Sequence, residues 1–426
     1  MAIILFGTLA ILLFCNVPIA VCMGLASFAA IVFSGNTIPL TMIPQRMFTA
    51  LDSFPFMAVP FFMLAGALME TGGISRRLIN FAKNLVGFLP GGLGVITVVS
   101  SAFFGAISGS NAATVAAIGG VMIPAMEKDN YPKDLACAIA ASSGTLGVVV
   151  PPSVPMITYG VISNVSIAAL FMSGFLPAAL IVASLTLVLF IQARKFKLPR
   201  LPFSTSELFK GFIDAFWALM MPIIILGGIY GGVFTPTEAA AVAVFYGLIV
   251  SLFIYRELKF SMLPGIIIRA GLGTAIVLFI IATSSSFAWL LTAAKVPTAI
   301  ASAVLSIASS EYVILLLINI TLLVFGIFLE TNAIILLLTP MLLPIAAQIG
   351  FDPLLLGVII IVNTSVGMIT PPMALNIFIA SSVGGETIER ISARIVPFLT
   401  VLIIDILLIT YIPSISLWLP KTVGLI

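Results

Sequence analysis

"GTLGVVVPPSVP" (Gly144–Pro155) lies inside a stretch otherwise apolar enough for a bilayer. Each proline removes a backbone donor and obstructs the helix behind it. A second segment, "SVGMITPPMALN" (Ser365–Asn376), repeats the pattern, with 220 residues between Pro151 and Pro371. Why a chain breaks two helices at membrane depth is the question that decides the fold.

The surrounding composition establishes that depth. Of 426 residues, 61% are hydrophobic and 8% charged, and the mean hydropathy is +1.30. A soluble domain of this length needs far more charge to cover its surface. Apolar runs of about 20 residues recur throughout, which predicts an all-α polytopic membrane protein. The opening "MAIILFGTLAILLFC" has no basic n-region and reads as a mature helix, not a cleaved signal. Histidine is absent, and Cys15, Cys22 and Cys137 form no C-x-x-C. That argues against zinc, haem-attachment and histidine-relay chemistry.

Ten segments read as spans: 2–15, 17–34, 54–69, 134–163, 166–193, 213–233, 237–255, 263–291, 352–381 and 395–418. Two regions, 85–127 and 311–350, hold paired apolar arms around "GAISGSNAAT" (Gly105–Thr114) and "FLETNA" (Phe328–Ala333). They read as re-entrant hairpins, tolerated at membrane depth where protein or water covers the turn. The linker "RKFKLPRLPFSTSELFK" (Arg194–Lys210) carries five basic residues. Placing it in the cytoplasm and counting spans puts Arg76, Arg77, Lys83, Lys128, Lys133, Arg256, Lys259, Arg390 and Arg394 beside it, 14 of the 18 Lys and Arg. Arg46, Lys295 and Lys421 fall on the other side, Arg269 lies within a span, and both termini face away from the cytoplasm.

The halves resemble each other. "FGAISGSNAA" (Phe104–Ala113) aligns with "FGIFLETNAI" (Phe325–Ile334), and "TLGVVVPP" (Thr145–Pro152) with "SVGMITPP" (Ser365–Pro372), at offsets of 221 and 220. Pro18 in "NVPIA" precedes Pro236 in "FTPTEAA" by 218 residues. An odd number of spans separates equivalent points, so the repeats are inverted: residues 1–193, a basic linker 194–212, and residues 213–426. Inverted repeats with paired broken helices point to a secondary transporter with its site at the midplane.

The breaks supply oxygen atoms. Pro151 frees the carbonyl of Gly147, Pro152 that of Val148 and Pro155 that of Pro151; Pro371 frees Gly367 and Pro372 frees Met368. Unpaired carbonyls in hydrocarbon cost several kcal/mol each, and a small hard cation suits them. The tips add Ser108, Ser110 and Asn111 in one half and Thr331 and Asn332 in the other. Helix N-termini can then meet an anionic substrate, with Asn111, Thr145, Asn332 and Ser365 as candidate contacts. The competing reading is that the prolines only kink packed helices, and that Asn111 and Asn332 are N-caps.

The motifs "LDSFPFMAVPFFMLAGALMETGG" (Leu51–Gly73), "FFGAISGSNAAT", "VPPSVPMITYGVI" and "GGVFTPTEAAAVA" (Gly231–Ala243) resemble the large membrane subunit of tripartite ATP-independent periplasmic (TRAP) transporters. The likeness covers essentially the whole chain. It implies a sodium-driven importer of the bacterial inner membrane, with a transport domain moving like an elevator against a scaffold. Its substrates would be organic acids, C4-dicarboxylates and sialic acid among them. It implies two partners, a small four-helix membrane subunit on a separate chain and a periplasmic substrate-binding protein, and no nucleic acid. Carried over, one sodium site uses Ser108, Ser110, Asn111, Gly147, Val148 and Pro151. The other uses Gly326, Thr331, Asn332, Gly367, Thr370 and the Met373 carbonyl.

Among charged residues, Glu330 at the second tip either joins a site or stiffens the turn. Thr235-Pro236-Thr237-Glu238 fits a capping box, and Asp52 reads as an N-cap for the third span. Asp405, inside the last span, has no evident partner in the sequence. The rival functions are a stand-alone sodium/carboxylate symporter, an intramembrane enzyme and a passive channel. Without histidine, neither H-E-x-x-H nor Ser-His chemistry is available, and broken helices suit closed ion sites better than an open pore.

Overall fold

The computed structural model describes residues 1–15, 17–35, 38–307 and 310–426, and these contain no β-strand. Their outer surface is apolar: Phe14 is 93% and Ile3 88% exposed, which is stable only against lipid.

The first half begins with α1 (Ala2–Phe14), α2 (Ile19–Phe33), α3 (Met42–Leu51), α4 (Ala58–Thr71) and α5 (Ile74–Val86). A hairpin follows, α6 (Gly92–Ser108) and α7 (Asn111–Lys128). The broken helix is α8 (Lys133–Ser143), α9 (Leu146–Val149) and α10 (Val154–Ser163), and α11 (Ile167–Phe196) closes the half. The second half opens with α12 (Thr205–Tyr230), α13 (Pro236–Ile249), α14 (Leu263–Ala293) and α15 (Val296–Ile307). Its hairpin is α16 (Glu311–Phe328) and α17 (Thr331–Gln348), its broken helix α18 (Pro353–Gly367) and α19 (Leu375–Gly384), and α20 (Ile388–Tyr411) and α21 (Ser414–Val423) follow. Eight helices of the described residues are long and apolar enough to cross a bilayer, and α8 to α10 make a ninth, bent 41° at its break.

Several boundaries differ from the sequence reading. The first two spans have only 13 and 15 helical residues. The linker is shorter than 194–212, because α11 runs to Phe196 and α12 starts at Thr205. Helices α3, α5 and α15 lie outside the expected spans, and the last expected span, 395–418, is divided between α20 and α21. The sequence does carry a signal for α5: Ile74, Leu78, Ile79 and Ala82 are buried at helical spacing, with the basic residues between them. Asp52 is no N-cap; it ends α3, and Ser53 precedes the next turn without a side-chain cap. The capping box of Thr235 and Glu238 is present.

The basic segments share one face. Leu201 N donates to Gly87 O at 3.0 Å, and Asn84 Nδ2 to Glu207 O at 2.9 Å. Arg77 pairs with Glu257 (2.6 Å) and Asp214 (3.2 Å) and lies over the Tyr255 ring at 3.8 Å. The Tyr255 hydroxyl donates to Asp214 O at 3.0 Å. Arg394 pairs with Asp134 at 2.6 Å and lies 5.1 Å over Phe196, where α11 ends.

Positions related by the sequence repeat meet in space. Ser365 Oγ donates to Thr145 O at 2.7 Å across 220 residues. The Ser184 hydroxyl donates to Asp405 across 221, giving that carboxylate the partner missing from its sequence neighbourhood. The hairpins also cross the broken helices alike. A Cβ on Gly105 would lie 2.8 Å from Leu146 O and 3.1 Å from Gly147 Cα. One on Gly326 would lie 2.8 Å from Gly367 Cα. Glycine at both crossings lets two backbones touch.

Candidate ion and substrate site

At the first tip, Gly109 ends α6 with φ +58°, a conformation open to glycine at no steric cost. Ser110 then caps α7, its hydroxyl accepting from Ala113 N at 3.4 Å. That frees Asn111 to reach across the molecule. Its Oδ1 accepts from Val148 N at 3.0 Å. Its Nδ2 donates to Ser365 Oγ at 2.8 Å and meets Met368 Sδ at 3.4 Å. One buried side chain therefore ties the first tip to both breaks.

The second tip is organised differently. Glu330 caps α17, accepting from Asn332 N at 3.1 Å and, on its other oxygen, from Asn332 Nδ2 at 2.9 Å. Thr158 Oγ1 donates to Asn332 Oδ1 at 3.2 Å. Thr331 Oγ1 donates to Met368 Sδ at 3.6 Å, so the Met368 thioether touches both tips. Neither Asn111 nor Asn332 is an N-cap; Ser110 and Glu330 hold those positions.

Both Pro-Pro bonds are cis, but the breaks differ in length. The first spans residues 150–153. Among the described residues, the carbonyls of Gly147 and Val148 receive no hydrogen bond. Thr114 Oγ1 lies against Gly147, 2.7 Å from where a Cβ would be. It donates to Ser110 O at 2.8 Å and approaches Ser108 Oγ at 3.1 Å. Ser153 Oγ is buried without a partner among the described residues. Pro155 breaks nothing; it lies in the first turn of α10, where no donor is required.

The second break spans residues 368–374, long enough for the backbone to fold onto itself. Gly367 O accepts from Thr370 N at 2.9 Å, and Met368 O from Asn376 N at 3.0 Å. The Met368 carbonyl is thus not stranded, contrary to the proline count. Thr370 Oγ1 donates to Val366 O at 3.0 Å, and Met373 is 54% exposed.

Between the tips lies a cavity of about 90 Å³. Its lining includes the first residues of four helices: Asn111 of α7, Val154 of α10, Thr331 of α17 and Leu375 of α19. The partial positive charge of each N-terminus faces one small space. No Lys or Arg lines it, and Glu330, half-buried, does. The candidates Asn111 and Asn332 reach this cavity, whereas Thr145 and Ser365 lie fully buried behind it, bonded to each other. Sequence reasoning missed Thr114, Thr158 and the Met368 thioether. Thr114 was the most accessible of them, since it lies one helical turn from Asn111.

Paired hairpins and broken helices around a polar centre define a secondary-transporter fold. The YdaH transporter of Alcanivorax borkumensis shares it, with a TM-score of 0.64 over 85% of this chain and 86% of that one at 15% identity. The pattern of the tripartite ATP-independent periplasmic transporter, DctM component, matches residues 6–415, and the chain belongs to that family. It is 42% identical to the isethionate TRAP transporter permease protein DctMQ of Oleidesulfovibrio alaskensis, over 97% of this chain and 66% of that protein. It is also 42% identical to the C4-dicarboxylate TRAP transporter large permease protein DctM of Pseudomonas aeruginosa, over 89% of each. These relatives are permeases, not enzymes.

Proposed function

We propose that the protein imports a small organic acid anion across the bacterial inner membrane, driven by a sodium gradient. The observation that carries this reading is the tip cavity: four helix N-termini converge where no basic side chain is present. The N-termini of α7, α10 and α19 attract an anion there without trapping it on a fixed cation, while the Glu330 carboxylate caps α17 on the same wall. The unbonded Gly147 and Val148 carbonyls beside Ser108, Ser110 and Thr114 are the natural seat for one sodium ion. For the second ion we propose Thr331, Asn332, Gly326, Gly367 and Thr370, the Gly367 carbonyl offering the lone pair left over from its bond to Thr370 N. Two inverted repeats let the transport domain move past the scaffold, with the basic face cytoplasmic and both termini outside.

The relatives' names point to a C4-dicarboxylate or a small sulfonate, with sialic acid as the larger alternative. The partners are a small four-helix membrane subunit and a periplasmic binding protein. The DctMQ relative is longer than this chain, as a permease joined to its small subunit would be. The test is reconstitution with both partners in proteoliposomes, offering succinate, isethionate and N-acetylneuraminate. Uptake of one acid that needs both binding protein and sodium is expected; full-rate uptake without binding protein would establish a stand-alone symporter instead.

A further inference from the structure

A second cavity, about 270 Å³, adjoins the tip cavity and shares Met63 and Ser110 with it. It lies between α4 and α14 on one side and the first hairpin on the other, lined by Ala67, Glu70, Ser108 and Arg269 among others. Arg269 is the seventh residue of α14, about 9 Å along the helix from its start. An arginine within a span marks an ion or substrate path unless it is paired. Arg269 donates to Thr71 Oγ1 at 3.4 Å; among the described residues it forms no contact ion pair, and its charge acts on Glu70 across the same space.

The other half has a counterpart. A cavity of about 310 Å³ is lined by Ser284 and Ala288, which stand 221 residues after Met63 and Ala67. Ser285, Thr49 and Leu336 also face it, and no charged side chain does. The repeat therefore builds two vestibules, and charge was placed in only one.

We propose that the vestibule of the first hairpin is a weak anion station, in which Arg269 holds the carboxylate or sulfonate of the acid between the tip cavity and the basic face. This rests on the transport reading above. Glu70 lines the same space and opposes the anion, which keeps the station weak enough to release it. Arg269 is a positioning residue on the path, outside the tip cavity.

The test uses the chain with its small membrane subunit, native cysteines replaced by serine and Ala67→Cys introduced. Labelling rates are measured with anionic methanethiosulfonate ethylsulfonate and its cationic trimethylammonium analogue, normalised to a free thiol. Arg269→Gln should lower the anionic-to-cationic ratio by about fivefold, the Coulomb effect of one charge across a partly wet space, and Arg269→Lys should restore it. Glu70→Gln should raise the ratio. Ser285→Cys, in the neutral vestibule, serves as control, and co-purification of each variant with the small subunit as a monodisperse complex shows that it is folded. If Arg269→Gln leaves the ratio of the Ala67→Cys thiol unmoved, or moves that of the Ser285→Cys thiol equally, the proposal is overturned. With binding protein outside selecting one orientation, Arg269→Gln should also raise the lumenal acid concentration for half-maximal counterflow, by a similar factor. Labelling needs no transported acid, so its outcome holds even where the transport reading fails.

Discussion

The two hairpin tips derive from one repeated pattern, yet they hold their surroundings in opposite ways. Asn111 spends its hydrogen bonds on other elements, joining the first hairpin to Val148 and Ser365. Asn332 divides its side chain, donating to Glu330 two residues away and accepting from Thr158 of the first half, and its backbone N–H also goes to Glu330. The breaks differ in the same sense. Gly147 and Val148 keep bare carbonyls, whereas Gly367 and Met368 are re-bonded by their own backbone. A shared outline of Gly-x-x-x-Pro-Pro thus yields one open oxygen cluster and one closed loop. The difference lies in where the donors go: Val150 N bonds Leu146 O, whereas its counterpart Thr370 N bonds Gly367 O and Asn376 N returns across the longer break to Met368 O.

The largest effect should come from what the halves share. Gly105→Ala and Gly326→Ala each push a Cβ into a neighbouring backbone, and each should destabilise by about 1–3 kcal/mol and abolish most uptake. Thermal unfolding of the purified chain measures this, and a loss at one glycine only would contradict the common crossing. Next, the tips should separate. Asn111→Ala leaves Val148 N without its acceptor and Ser365 Oγ without its donor, and should raise the sodium concentration for half-maximal uptake about tenfold, with Asn332→Ala nearer threefold. Equal shifts, or the reverse order, would show that the hydrogen-bond asymmetry does not govern ion binding. Thr114→Val removes the hydroxyl against Gly147 and should cost about threefold in the same assay; no change would take Thr114 out of the first ion site. Lys421→Ala, exposed on α21, should leave uptake and its sodium dependence as they are.

Much of this was legible in the residues. Apolar length marked long stretches of the chain as membrane-spanning, because a span must cover the bilayer. Prolines located the breaks because a missing N–H is a property of the residue itself. The capping box at Thr235 was readable because its four residues are contiguous. Asp52 was misread because Asp precedes both turns and N-caps, and only the helix ahead of it, α3, decides between them. Thr145 and Ser365 are polar and close to the breaks, but nothing in their spacing tells that they face each other instead of the cavity.

The sequence alone determined that the chain crosses a membrane several times, that its halves repeat and that two helices break at matched points. These follow from hydropathy and from covalent chemistry, which act residue by residue. Only the tertiary structure decided which carbonyls stay bare, which tip reaches across, and that Ser184 answers Asp405 from 221 residues away. Those outcomes depend on hydrogen bonds between distant segments, whose partners are chosen when the helices pack.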